Sequence, residues 1–253
     1  MANVSHEIRT PLTVLAGFVE TLQTLDLDPE EKVRYLGMMA QQAQRMQTLV
    51  NDLLTLSRLE GSPLPGAGEW IAVAALFGQC EQEGRSLSSL LAPAQPHVLV
   101  FDHPTGWELS GAPSELQSAM SNLISNAIRY TPPGGRITVA WQALAGGRAE
   151  FSVKDSGPGI APEHIARLTE RFYRVDRSRS RETGGTGLGL AIVKHVVQRH
   201  GAELKIDSTL GTGSTFAIQF PASRLRTTSI KRLEEAPVAA PDGAPARPAT
   251  AVP

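Results

Sequence analysis

Two apolar stripes separated by one turn signal limit what the first part of this chain can become. Ile8, Leu12, Leu15, Val19 and Leu22 follow one another at spacings of 4, 3, 4 and 3. At about 100° per residue they fall on one narrow face of a helix. Leu36, Met39, Ala43, Met46, Val50 and Leu53 repeat at 3, 4, 3, 4 and 3. Between the stripes stands DLDPEEK, residues 26–32. There Asp28 can cap a new helix, Pro29 suits its first turn, and Glu31 completes a capping box. Gly61, in EGSPLPGAG, ends the second helix. The pattern predicts a helical hairpin over 1–61 and a linker over 62–69. A lone hairpin has little to cover its seam, so a homodimer closing a four-helix bundle is the physical remedy.

From Trp70 the pattern changes. Periodicity predicts helices over 73–91, 112–130 and 188–201, and strands over 97–101, 107–110, 136–142, 150–155, 203–208 and 214–220. This mixture is an α+β layer over 70–223, helices backing one mixed sheet. After Pro221 the composition turns to Ala, Pro, Arg and Thr, predicting a disordered tail over 224–253. A net charge of −1 gives no field for nucleic acid, and the single Cys80 excludes an internal disulfide or a cysteine zinc site. No apolar run approaches the roughly 18 residues a membrane helix needs. Met1-Ala2 leads straight into the helix pattern, which reads as a piece of a longer protein.

Three segments carry candidate chemistry. In NLISNAIRYTPPGG, Asn122 and Asn126 share one helical face, and a carboxamide oxygen is a hard ligand suited to Mg²⁺. Arg129 adds a cation for phosphate one turn on; for this helix alone a solvated polar face is the better reading. In VKDSGPGIAP, Asp155 ends an apolar strand before Gly157 and Gly159. A carboxylate there can accept from an amino group such as adenine N6, although a plain turn has the same letters. In RFYRVDRSRSRETGGTGLGLAIVKHVV, Arg174, Arg177, Arg179 and Arg181 precede Gly185, Gly187 and Gly189 at a helix start, where N–H groups suit phosphate, although a solvated charged loop before a helix fits a lone glycine run about as well.

In this order, the three segments resemble the ATP-binding domain shared by histidine kinases, gyrase, Hsp90 and MutL, the GHKL fold. NVSHEIRTPL, residues 3–12, is similar to the phosphoacceptor box of sensor histidine kinases. The likeness runs over about 3–221. ANVSHEIRTPLTVLAGF, SAMSNLISNAIRYTP and GPGIAPEHIARLTERFYRVD resemble the phosphate-regulon (PhoR-like) branch most.

The stripe turns His6 outward, so it is not a core histidine. The resemblance implies that His6 is phosphorylated from ATP and hands the group to an aspartate of a response regulator. Glu7 would orient the imidazole, and Thr10 would position water for hydrolysis of the regulator's phosphoaspartate. Pro11 can bend the helix beside them. The resemblance further implies Asn126 as the Mg²⁺ ligand with Asn122 nearby, and Asp155 as the adenine reader in a pocket shaped by Gly157 and Gly159. Ile160 and Leu188 would flank the base, and Arg129 and Tyr130 would border ribose and phosphates. Arg174 is implied at the γ-phosphate, Gly185, Gly187 and Gly189 in the lid hinge, Phe172 packed beneath it, and Thr215 near the adenine. It also implies a membrane-anchored full-length protein. A dimeric phosphatase or scaffold, a sensor kinase for another signal, and another ATPase of the same fold remain alternatives.

Overall fold

The computed structural model describes residues 2–66, 69–175 and 185–228. Helices α1 (Ala2–Thr24) and α2 (Pro29–Gly61) pack on each other as the N-terminal hairpin. The capping box forms: the Glu31 N–H donates to Asp28 Oδ1 at 2.8 Å, and the Asp28 N–H to Glu31 Oε2 at 3.2 Å. Helix α1 runs through Pro11, which is buried and cannot donate to the carbonyl one turn earlier. Much of the heptad seam stays exposed in one chain: Leu12 by 49%, Leu36 by 54% and Val50 by 45%.

The second part holds β1 (Trp70–Ala72), α3 (Val73–Leu91), β2 (Val98–Phe101), β3 (Trp107–Ser110), α4 (Pro113–Tyr130), β4 (Arg136–Ala143) and β5 (Ala149–Asp155). It continues with α5 (Pro162–Ile165), α6 (Gly189–Arg199), β6 (Glu203–Thr209), β7 (Gly213–Phe220) and β8 (Leu225–Thr227). The main sheet has the order β2-β4-β5-β7-β6, parallel between β2 and β4 and antiparallel elsewhere. This is the expected mixed sheet backed by helices. Alternation decides its core face. Phe151 and Val153 of β5 and Phe216, Ile218 and Phe220 of β7 are buried, together with Met120, Leu123 and Ile124 of α4 and Ile192 and Val196 of α6. Each such side chain contributes about 1.5–3 kcal/mol on burial.

A second sheet, β1-β3-β8, adds to the expected one. It corrects the expected start of the tail, because Leu225, Arg226 and Thr227 pair with Leu109, Glu108 and Trp107. The Arg226 side chain bonds Glu108 and lies 4.3 Å over the Trp70 ring. A three-residue strand held by its partner's edge leaves no alternation to read. The remaining tail, 229–253, lies outside the described residues.

His97 and His200, matched to no catalytic position, tie elements together. His97 bonds Ser88 Oγ through Nδ1 at 2.9 Å and the Thr131 carbonyl through Nε2 at 3.0 Å. His200 Nε2 accepts the Ala112 N–H at 3.2 Å, so Nδ1 carries the proton and donates to the Val196 carbonyl at 2.8 Å. Burial pushes the pKa of His200 down, helped by Arg224 and Arg199 and opposed by the Val196 bond and Glu115. A histidine held neutral in the fold stabilises it fully above the unfolded pKa of about 6.5 and loses that contribution as pH falls toward the lower folded value. His195, lowered chiefly by burial, acts in the same direction. The urea midpoint should therefore fall between about pH 7.5 and about pH 5.5, with a smaller pH dependence in His200→Gln. Equal slopes in the two proteins would remove His200 as the cause.

Candidate active site

Asp155 ends β5 and is buried to 8% exposure. Its Oδ1 accepts the Gly157 N–H at 2.8 Å and the Ser214 N–H at 3.3 Å. Burial raises the carboxyl pKa, and the two N–H bonds counter it. Two glycines build the cradle. Gly159 has φ +70°, and a Cβ there would stand 2.1 Å from the Thr209 carbonyl oxygen. Gly213 has φ +128°, and its Cβ would stand 2.0 Å from the Asp155 carbonyl oxygen. Ile160, partly exposed, is anchored by its N–H to Ser208 Oγ at 2.8 Å. Leu188 is wholly buried, so of the two expected base-flanking side chains only Ile160 offers surface.

Helix α4 forms the opposite wall. Asn122 and Asn126 are half-buried on one face, as their spacing requires. The Asn122 amide donates to the Ser118 carbonyl at 2.8 Å, and a Cβ on Gly189 would lie 2.5 Å from Asn122 Oδ1. Asn122 thus abuts the start of α6, a close approach that glycine permits. Tyr130, Arg174 and Gly185 converge: a Cβ at Gly185 would lie 3.8 Å from both Arg174 Nη2 and Tyr130 Oη. Arg174 also hydrogen-bonds the Tyr130 side chain. The Phe172 N–H donates to the Gly187 carbonyl at 2.9 Å. Phe172 has φ 63°, the only left-handed non-glycine among the described residues, and it packs on the core. Arg177, Arg179 and Arg181 lie outside the described residues.

His6 is exposed on α1, and the Thr10 hydroxyl donates to its carbonyl at 3.1 Å. Glu7 is half-buried, and its charge acts on Arg174, opposed by Arg45 of α2. The hairpin and the α4–α6 wall therefore meet. Thr186 of the glycine motif donates to Asp52 Oδ2 on α2 at 2.6 Å, and Asp52 interacts electrostatically with Arg129. Arg171 pairs with Glu60 at the end of α2.

One residue is placed otherwise than expected. Thr215 pairs with Lys154, whereas Ser214 pairs with Asp155. Successive side chains alternate faces, so Thr215 lies with Lys154 on the polar face and Ser214 lies with Asp155 on the helix side. Two further residues join the site without having been expected there, Gly213 beside Ser214 and Asp52 of the hairpin. The GTGS turn hints at Gly213; Asp52 carries no motif.

A glycine-built cradle around Asp155 on a mixed sheet thus stands beside a helical hairpin whose second helix it contacts and whose first helix presents an exposed histidine, the layout of a two-part phosphotransfer protein. Family profiles agree. The His Kinase A (phospho-acceptor) domain matches residues 1–62, and the histidine kinase-, DNA gyrase B- and HSP90-like ATPase matches residues 111–224, which implies ATP binding. The chain belongs to the sensor histidine kinase family and is PhoR-like within it. It is 49% identical over 227 residues to the phosphate regulon sensor protein PhoR of Pseudomonas aeruginosa, covering 89% of this chain and 50% of that protein. The solved mycobacterial sensor histidine kinase MprB is 31% identical, with a TM-score of 0.51 over 60% of this chain and 96% of that one. The kinase ThkA, solved in complex with the response regulator protein TrrA, shares the fold at 21% identity and TM-score 0.66, over 87% of this chain and 60% of that one. The chain spans about half the length of the curated relatives it matches.

Proposed function

We propose that this chain is the catalytic core of a two-component sensor kinase: His6 is phosphorylated from Mg-ATP, and the group passes to an aspartate of a response regulator. The observation that carries this reading is Arg174. It adjoins Tyr130 and Gly185 of the nucleotide wall while lying within the field of Glu7, the neighbour of His6. The cation expected at the γ-phosphate thus feels the charge of the residue beside the acceptor histidine.

In this reading Asp155 accepts from the adenine amino group, and Arg129 and the N–H groups at the start of α6 hold phosphates. His6 attacks the γ-phosphorus through Nε2, the P–O bond to ADP breaks, and Glu7 holds the Nδ1 proton and offsets the imidazolium charge. Among the described residues no group of three or more His, Cys, Asp or Glu could hold a metal, so a resident protein cage has no support there. A single neutral oxygen, from Asn126, suits Mg²⁺, which keeps waters and takes its other ligands from phosphates. When bound, the ion neutralises charge that develops on the transferring group.

Thr10, one turn from His6, supports a second activity as phosphatase toward the regulator. The exposed seam at Leu12, Leu36 and Val50 supports a homodimer. Identity to PhoR supports a role in phosphate-starvation signalling. No helix among the described residues is long and apolar enough to cross a membrane. We place the full-length protein in the bacterial cytoplasmic membrane, with this chain on its cytoplasmic side.

Incubation with γ-labelled ATP should give an acid-labile label on the wild type and none on His6→Gln, while both proteins bind ATP. Full labelling of His6→Gln would remove the histidine from the mechanism. Steady ATP hydrolysis with no label on either protein would favour an ordinary ATPase.

A further inference from the structure

Asp52 belongs to the hairpin, yet its carboxylate is half-buried against the nucleotide wall. Oδ2 accepts the Thr186 hydroxyl at 2.6 Å, and Thr186 Oγ1 itself accepts the Leu188 N–H at 3.3 Å. Thr186 stands between Gly185 and Gly187, at the entrance to α6. On the other side, Asp52 and the Arg129 guanidinium of α4 act on each other. One acid of α2 therefore bonds the glycine turn and acts electrostatically on the arginine of the asparagine helix, the two elements that the nucleotide reading assigns to phosphates. Burial disfavours its charge, while Thr186 and Arg129 offset that cost. A carboxylate and a phosphate oxygen seek the same donors, an N–H-rich helix entrance and a guanidinium.

We infer that Asp52 acts as a phosphate surrogate: it holds Thr186 and attracts Arg129 electrostatically before nucleotide arrives, and competes with the triphosphate for them. The inference rests on the ATP reading of the site. Docking of the ATPase domain on its own hairpin and binding of ATP then oppose each other, and the opposition is reciprocal because it is one coupling free energy seen from two ends. The interface is built for this asymmetry. At the end of α2, Arg171 pairs with Glu60, and Arg199 takes the Leu59, Ser62 and Pro63 carbonyls. Those contacts involve no phosphate-binding group, so they can remain as a hinge when the Asp52 end is released. Asp52 is thus a positioning residue. It sets how tightly the kinase takes ATP, and ATP in turn sets when the catalytic domain leaves its resting contact.

The test uses the full chain and Mg-ATP. Asp52→Asn keeps an oxygen for the Thr186 hydroxyl and removes the charge that competes for Arg129. It should bind Mg-ATP about fivefold or more tightly than the wild type, the scale of a typical site–site coupling. Its KM for ATP in autophosphorylation should fall in parallel. Unchanged or weaker affinity in a folded Asp52→Asn would overturn the inference and leave the nucleotide reading intact. A folded wild type that binds no ATP would overturn both. Hydrogen exchange on the wild type gives an arm that needs no variant. Saturating Mg-ATP should lower protection of residues 49–56, and raised or unchanged protection there would overturn the inference.

Discussion

Gly159→Ala is expected to lose about 3 kcal/mol or more of stability, and with it ATP binding. Two costs combine. At φ +70° an L side chain sits in the left-handed region, which costs about 1–2 kcal/mol. The added Cβ would then stand 2.1 Å from the Thr209 carbonyl oxygen, 2.6 Å from its carbon and 2.9 Å from Leu210 Cα. All three are backbone atoms, so no side chain can swing away. Relief requires moving the β6–β7 turn, which is tied to the same loop. The Gly211 N–H donates to the Pro158 carbonyl at 2.8 Å, and the Ile160 N–H to Ser208 Oγ at 2.8 Å. That turn leads into Gly213 and Ser214, whose N–H bonds Asp155 Oδ1. Displacing it unseats the carboxylate from one of its two donors. Urea denaturation and an ATP titration read the two consequences separately. Gly211→Ala is the control: φ is +77° but nothing lies within 4 Å of the added Cβ, so it carries the strain without the collision. Equal losses in the two variants would mean that strain alone is at work.

The contrast between these glycines shows how far the letters reach. Gly159 is legible because D-x-G-x-G follows an apolar strand, a local pattern with a local reason. Gly213 is as tightly held, but its constraint comes from Asp155 on a neighbouring strand, far away in sequence. The same distance misleads the choice of Thr215. Strand pairing fixes which of two adjacent residues faces Asp155, and the register of β5 against β7 is not written in either strand alone. The hairpin is legible throughout, since heptads and the Asp28–Glu31 box are local. What docks on it is not. Asp52 sits between seam residues with no motif to mark it, and β8 exists only because β3 offers an edge. Roles such as those of His6 and Asn126 come from resemblance, while their exposure and shared face come from helical geometry.

Arg199→Met should be the most damaging single change outside the nucleotide cradle, at about 3–5 kcal/mol, the usual result of removing one partner from a buried ion pair. Arg199 is 9% exposed in the last turn of α6. Nε and Nη2 donate to Glu115 Oε2 and Oε1, each at 2.9 Å, a bidentate pairing with α4. Nη1 donates to the Leu59 carbonyl at 2.8 Å and the Ser62 carbonyl at 2.9 Å, and Nη2 to the Pro63 carbonyl at 2.7 Å. One planar guanidinium thus joins α6, α4 and the exit of α2, using a donor fork that lysine cannot copy. Methionine fills much of the volume but strands the Glu115 carboxylate, whose side chain is 17% exposed, and leaves three carbonyls without their donor. The double variant Arg199→Met/Glu115→Gln removes the stranded charge and should recover part of the loss, while the linker carbonyls stay unpaired. Thermal unfolding measures the stability term. Protease cutting between residues 62 and 66 measures the linker term, and it should rise equally in the single and double variants. Arg199→Lys should lose less stability than Arg199→Met, because it still neutralises Glu115, but about as much on the protease readout, because lysine offers a point charge where the linker carbonyls need a fork. A loss below about 1 kcal/mol in Arg199→Met, within the range of an exposed pair, would mean that the hairpin is held to the ATPase domain chiefly by its other contacts, Asp52, Glu60 and the buried Leu56 and Leu59.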